Sequence, residues 1–209
     1  MPDPSRLWLF VVASIALTAT PGPNVLYIIT RGIGQGRRAA VTSASGVESA
    51  LLIHVAASAL GISAIVASSA VAFTAIRWIG ALYLIGLGLH AWRSDGLSVS
   101  RPVVPARGRH LFRQGFVVSL LNVKVALFFL AFLPQFVDPS GPVRPQLLLL
   151  GGVFVLAAAL TDLTYALASG SLGRWLRDRP AFGRFQGRLS GTVYIGLGLS
   201  AAVTGGDSS

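Results

Sequence analysis

Residues 20–24 read Thr20-Pro21-Gly22-Pro23-Asn24, and they interrupt a run that is otherwise apolar from position 7 to position 30. A chain in hydrocarbon has no water to satisfy its backbone, so a proline-glycine-proline break there needs protein or water around it. Pro21 and Pro23 lack an N–H, which frees the carbonyls four residues earlier, at Leu17 and Ala19. Exposed carbonyls and N–H groups near the bilayer midplane are what a transporter offers to a polar solute. The break therefore points to a carrier more than to an anchor or a scaffold.

The rest of the chain supplies the membrane setting. Of 209 residues, 53% are hydrophobic and 11% charged, with a mean hydropathy of +0.70. This is the composition of a membrane protein, with little chain left for a separate soluble core. A span needs about 20 mostly apolar residues, and the segments 7–30, 39–66, 73–92, 112–136, 147–170 and 189–204 qualify. The last is short and calls for tilt or local thinning. The first run follows a single Arg6, has no small-residue cleavage site behind it, and is read as a retained helix. The predicted fold is an all-α polytopic membrane protein with six transmembrane helices, one domain over 1–209. There are no cysteines, so disulfides and thiolate metal sites are excluded. No other metal set and no cofactor motif is read.

Charge sets the expected orientation. The first, third and fifth loops carry thirteen arginines, from Arg31, Arg37 and Arg38 to Arg184 and Arg188, against Arg6, Arg77 and Arg144 on the other side. The positive-inside bias places the odd loops in the cytoplasm and both termini outside. The net charge of +10 is then a property of loops facing anionic lipid, not of a nucleic-acid surface. A weak internal repeat accompanies the six spans. Leu82-Tyr83-Leu84-Ile85-Gly86-Leu87-Gly88-Leu89 echoes Val193-Tyr194-Ile195-Gly196-Leu197-Gly198-Leu199, and Phe10-Val11-Val12-Ala13-Ser14 resembles Phe116-Val117-Val118-Ser119. Two units of three spans, about 7–92 and 112–204 around a linker at 93–111, must lie inverted because three is odd. Chance recurrence of short Gly/Leu/Val strings is the competing explanation.

Ionisable side chains inside the spans carry the chemistry. Lys124 lies near the middle of span four, Glu48 in span two and Asp162 in span five. Each such charge costs about 2.5–3.5 kcal/mol on insertion scales, roughly 8–10 kcal/mol for three before pairing. They must meet a partner or a wet cavity, as a substrate or proton site or as a buried structural ion pair in which Lys124 bonds an acid and loose carbonyls. Asn24 and Asn122 are polar companions of the first break and of Lys124, with donors and an acceptor suited to an amino acid's two charged ends. Alternatively each only bonds a neighbouring helix. Asp162, Tyr165 and Ser169 share one helical face, as do His54 and Ser58. His54 is either a proton relay or an interhelical hydrogen bonder. Gly32 with Gly36, and Gly187 with Gly191, match the spacing that lets helices approach closely. Trp8, Trp78 and Trp92 sit where interfacial anchors belong. No P-loop, dinucleotide fingerprint, H-E-x-x-H or G-x-S-x-G occurs, so a nucleotide-driven pump or a hydrolase lacks its parts and the chain is not read as an enzyme.

These residues resemble the LysE/RhtB-type amino-acid exporters of bacterial inner membranes. The likeness rests on Thr20-Pro21-Gly22-Pro23-Asn24, on Gly46 through His54 leading to Leu60-Gly61, and on Gly80-Ala81-Leu82-Tyr83-Leu84. It continues with Gln114-Gly115-Phe116, Leu121-Asn122-Val123-Lys124 and Phe132-Leu133-Pro134-Gln135-Phe136, in family order across nearly the whole chain. The resemblance implies export of amino acids or close derivatives across the inner membrane, coupled to the proton gradient. One position departs: the family usually has Asn-Pro-Lys where this chain has Asn122-Val123-Lys124. Without that proline, span four has no covalent reason to break.

The expected assignment follows. Pro21, Gly22, Pro23 and Asn24 bind one end of a small zwitterion with Asn122 helping, Lys124 pairs with the substrate carboxylate or an acid, and Glu48 or Asp162 carries the proton. His54 and Tyr165 support them. The partners are the amino acid, protons and the bilayer, a homodimer being left open. The rival is a structural or lipid-handling membrane protein whose active surface is its basic loops.

Overall fold

The computed structural model describes residues 4–68, 70–93, 105–138 and 141–177, and beyond them 188, 191, 192, 195, 196 and 199. Among these residues there is no strand. The helices are α1 (Pro4–Ala19), α2 (Pro23–Gln35), α3 (Arg37–Ser68), α4 (Ala70–Arg93), α5 (Gly108–Leu120), α6 (Val123–Leu127) and α7 (Val143–Arg177). A π-helical turn at Phe128–Phe132 and a 3-10 turn at Leu133–Phe136 prolong α6.

Among the described residues, two stretches are single helices long and apolar enough to cross a bilayer, Arg37–Gly61 and Val143–Ser169. Two bent pairs raise the number to four if each is one span: α1 with α2 at 48°, and α5 with the 123–136 stretch at 47°. The third expected segment, 73–92, lies within α4. Most of the sixth, 189–204, lies outside the described residues.

The first bend is the one that Pro21 and Pro23 dictate. The second occurs although position 123 is valine, which corrects the expectation drawn from the missing proline. Asn122 supplies the reason. Its backbone is extended (φ −75°, ψ 100°), and its side-chain oxygen accepts a hydrogen bond from the Lys124 N–H at 3.1 Å. That is an N-cap, which starts a new helix without a proline.

Gly36, read above as half of a helix-packing pair, is instead the turn between α2 and α3. Its φ of +85° favours glycine, and a Cβ there would touch nothing within 4 Å. Gly32 does pack, with its bare Cα against Ser169 on α7. Gly88 on α4 lies against Gly191 and Ile195, and the Trp92 indole donates to the Arg188 carbonyl at 2.8 Å.

At one end of the two broken helices, α2 runs beside α5. At the other, α1 meets the 3-10 turn that ends the 123–136 stretch. This second end is closed by phenylalanines: Phe128 stands 4.6 Å from Phe154 and 5.9 Å from Phe10, and Phe10 stands 5.2 Å from Phe136, centroid to centroid. Lipid tails are as apolar as these rings, so close van der Waals contact, not escape from water, holds them together.

Helices α3 and α5 approach backbone to backbone. A Cβ on Gly46 would overlap the Phe112 carbonyl, and one on Gly115 would overlap the Ser43 carbonyl. Backbone cannot swing aside as a side chain can. Gly46→Leu is therefore expected to destabilise the protein by about 1–3 kcal/mol through overpacking. A lower thermal unfolding temperature in detergent checks this, and an unchanged one contradicts the packing described.

Candidate transport site between two broken helices

At the first break α1 ends at Ala19, and the Thr20 N–H after it still reaches the Ala16 carbonyl at 3.2 Å. Two of the last carbonyls of α1 are those that the prolines free, and both find donors on distant helices. Leu17 accepts from the Lys124 ammonium at 2.9 Å, and Ala19 accepts from the Tyr165 hydroxyl at 2.7 Å. The same ammonium also donates to the Thr20 carbonyl at 3.0 Å. Gly22 leaves room for this ammonium, because a Cβ there would stand 3.3 Å from Lys124 Nζ and crowd it. Pro23 occupies the first turn of α2, where its missing N–H costs nothing.

The second break faces the first. Asn122 donates to Asn24 Oδ1 at 2.8 Å, and Asn24 donates to Ser119 Oγ at 3.2 Å. The backbone carbonyl of Ser119, near the end of α5, takes a bond from the His54 ring nitrogen at 3.3 Å. His54 also stacks on Phe129, with centroids 5.9 Å apart. Each bent helix pair thus has a late carbonyl of its first half held by a side chain from an unbroken helix: Tyr165 of α7 for α1, His54 of α3 for α5.

The acids complete the arrangement. Asp162 is buried on α7 and interacts electrostatically with Lys124 on one side and with the Glu48 carboxyl of α3 on the other. Both Glu48 oxygens are buried and receive no hydrogen bond from a fixed donor. Two carboxyl groups in contact can bond to each other only through a proton held between them. The three ionisable groups read from the sequence therefore form one row: Lys124, Asp162, Glu48.

A cavity of about 30 Å³ lies at the junction, lined by Gly22, Asn24, Asn122, Lys124 and Asp162 together with Thr18 and apolar neighbours such as Leu51 and Phe154. Space of this size holds about two waters, whereas sites for small molecules run to about 300–1,000 Å³. In this conformation the space is too small for an amino acid. Pro21, Pro23, Glu48, His54 and Tyr165 are not on the cavity wall. Tyr165 and His54 bond backbone carbonyls beside it, and Glu48 interacts with Asp162 on its wall. Sequence reasoning missed Thr18, which shares a 3.2 Å hydrogen bond with Thr161, and Ser119. The available signal for Ser119 was its i, i+3 spacing from Asn122. Among the described residues no three His, Cys, Asp or Glu side chains are grouped to hold a metal ion.

Val123 is the first residue of α6, and Asn122 before it already has the extended backbone that a following proline requires. Val123→Pro is therefore expected to preserve the fold. It should raise stability by roughly 0.4–1 kcal/mol through the unfolded chain. A fall in thermal stability contradicts this account of the second break.

The family model described as LysE type translocator matches residues 15–205. The chain belongs to the LysE type translocator family. Among its relatives, an uncharacterized membrane protein of Vibrio cholerae is 32% identical over 199 residues, covering 94% of this chain and 97% of the relative. A homoserine/homoserine lactone efflux protein of Salmonella typhimurium is 30% identical over 169 residues, or 80% and 82% of the two chains. A leucine efflux protein of Salmonella choleraesuis is 27% identical over 207 residues, 93% of each. No solved structure matches this translocator. The Thr20–Asn24 break and the Asn122–Lys124 cap both fall inside the matched range, so the paired breaks lie in the part of the chain that the family defines.

Proposed function

We propose that this translocator is a secondary carrier that exports amino acids or close derivatives from the cytoplasm, driven by the proton gradient. The observation that carries the reading is the meeting of the two breaks. Lys124 of one sits on the opened carbonyls of the other, Asn24 bonds Asn122, and Asp162 borders the same cavity. The names of the relatives, efflux proteins for homoserine and its lactone and for leucine, support an amino acid as the solute.

Six spans in two inverted halves, about 7–92 and 112–204, suit this activity. The near-equal bends of 48° and 47° and the matched capture of Ala19 and Ser119 by Tyr165 and His54 support the pairing of the halves. In the bacterial inner membrane, the arginine-rich loops would face the cytoplasm and both termini the outside.

The residues divide the work. Asn24, Asn122 and the backbone at Pro21–Pro23 hold the polar ends of the amino acid. Its carboxylate takes the Lys124 ammonium from Leu17 and Thr20. Asp162 or Glu48 receives a proton from outside and releases it inside as the halves rock. Each charge crossing contributes about 2.3 kcal/mol per 100 mV, so one proton sustains more than a tenfold gradient of solute.

Counterflow in proteoliposomes tests the reading, using leucine, homoserine and a wider amino-acid panel, with and without an imposed pH step. The expected result is exchange of at least one amino acid, accelerated by the step. No exchange of any amino acid overturns it.

A further inference from the structure

We propose that the cleft between α2 and α5 is a recruiting site on the cytoplasmic side, where two arginines bind the carboxylate of the amino acid before it reaches the central cavity. This rests on the export reading above and deepens it.

The cleft has a volume of about 410 Å³ and is lined by Tyr27, Arg31, His110, Arg113 and Gln114 over Val117 and Val118. It is large enough for a small zwitterion, which the central cavity is not. It is also placed to feed that cavity. Tyr27 follows Asn24 by one helical turn on α2, and Val118 precedes Ser119, the partner of Asn24, on α5. The cleft stops where the first polar contacts of the central site begin.

Its chemistry selects an oxyanion. Two guanidinium groups line it and no acid does. Arg31 is preorganised: it donates to Gln35 at 3.0 Å and to Gln114 at 2.6 Å, and lies 5.5 Å from the Tyr27 ring centroid. Tyr27 in turn donates to the Leu111 carbonyl at 2.9 Å, which ties α2 to α5. Arg113 is exposed on the cleft wall. A planar fork of donors held in place recognises a carboxylate with little ordering cost. The valine floor suits an aliphatic side chain. The amino acid would then pass its carboxylate from one fixed cation, Arg31, to the next, Lys124.

The test uses the full chain in oriented proteoliposomes, with half-saturation measured separately for substrate on the cytoplasmic and on the external face. Arg113→Gln is expected to raise the cytoplasmic-face KM for leucine and homoserine about tenfold, the worth of one charge-assisted hydrogen bond. Its maximal efflux rate and its external-face KM stay unchanged, uptake from the external face slows in proportion as reversibility requires, and an unchanged thermal unfolding temperature in detergent certifies the fold. Arg113→Lys restores most of the affinity, and Arg31→Lys, which keeps charge but loses the fork, raises the same cytoplasmic-face KM. Leucinamide and homoserine lactone lack the carboxylate and show no shift.

An unmoved cytoplasmic-face KM, equal shifts at both faces, or an equal shift for the lactone and the amide would each overturn the proposal. A shift that disappears in pure phosphatidylcholine vesicles overturns it too, by assigning the arginines to an anionic lipid headgroup. If the unaltered protein moves no amino acid in either direction, the export reading fails and this proposal falls with it. An unmoved Arg113→Gln in a working carrier removes this proposal alone.

Discussion

Lys124→Ala is expected to lower the initial rate of amino-acid efflux by about one to two orders of magnitude and to destabilise the protein. Both effects come from one ammonium. In the empty site it satisfies the carbonyls of Leu17 and Thr20, which the broken helix cannot. Leaving a buried acceptor without a donor costs about 1–3 kcal/mol. In the proposed transport cycle the same group faces the substrate carboxylate, and a charge-assisted hydrogen bond there is worth about 1.5–3 kcal/mol, a ten- to hundredfold change in affinity. Lys124→Gln separates the two roles. Its amide N–H groups can still reach a carbonyl, so much of the stability returns, while the missing positive charge keeps transport low. Efflux at the unaltered rate in either variant contradicts the assignment.

Asp162→Asn tests the coupling. The amide has nearly the shape of the carboxyl and cannot carry a proton in exchange. Substrate exchange at equal pH on both sides should persist, because that half of the cycle moves no net proton. Net accumulation driven by a pH step should vanish. One pH unit is worth about 1.4 kcal/mol, hence about a tenfold gradient for one proton per solute, and the variant should sustain none of it. Glu48→Gln is expected to act in the same direction, since Glu48 and Asp162 interact directly. A variant that still builds the tenfold gradient removes that acid from the proton path.

The sequence made the first break legible down to its atoms. Proline chemistry named Leu17 and Ala19 as the freed carbonyls, and those two accept from Lys124 and Tyr165. It offered Lys124 as a donor to loose carbonyls only within a structural ion pair, and it did not name Tyr165, which lies more than a hundred residues from Ala19, because helical depth can be counted along a chain while rotation about the helix axis depends on packing. For the same reason Glu48 and Asp162 were readable as intramembrane acids but not as neighbours. The second break was left open because proline was taken as the only signal for it. An asparagine cap gives the same result, and Asn122 two residues before Lys124 was such a signal. Gly36 was misread because a glycine at a turn and one at a helix crossing have the same letter, and only its φ of +85° tells them apart. The cleft between α2 and α5 had no motif at all, being made by the meeting of two separate helix faces.

Thr18 lines the central cavity, and the chain has no cysteine of its own, so Thr18→Cys provides a single reporter there. In membranes, a water-soluble thiol reagent should modify this cysteine, and an exported amino acid such as leucine or homoserine should slow the modification several-fold. A cysteine that no water-soluble reagent reaches, or one whose labelling rate ignores every amino acid the protein exports, would mean that solute does not pass between the two breaks.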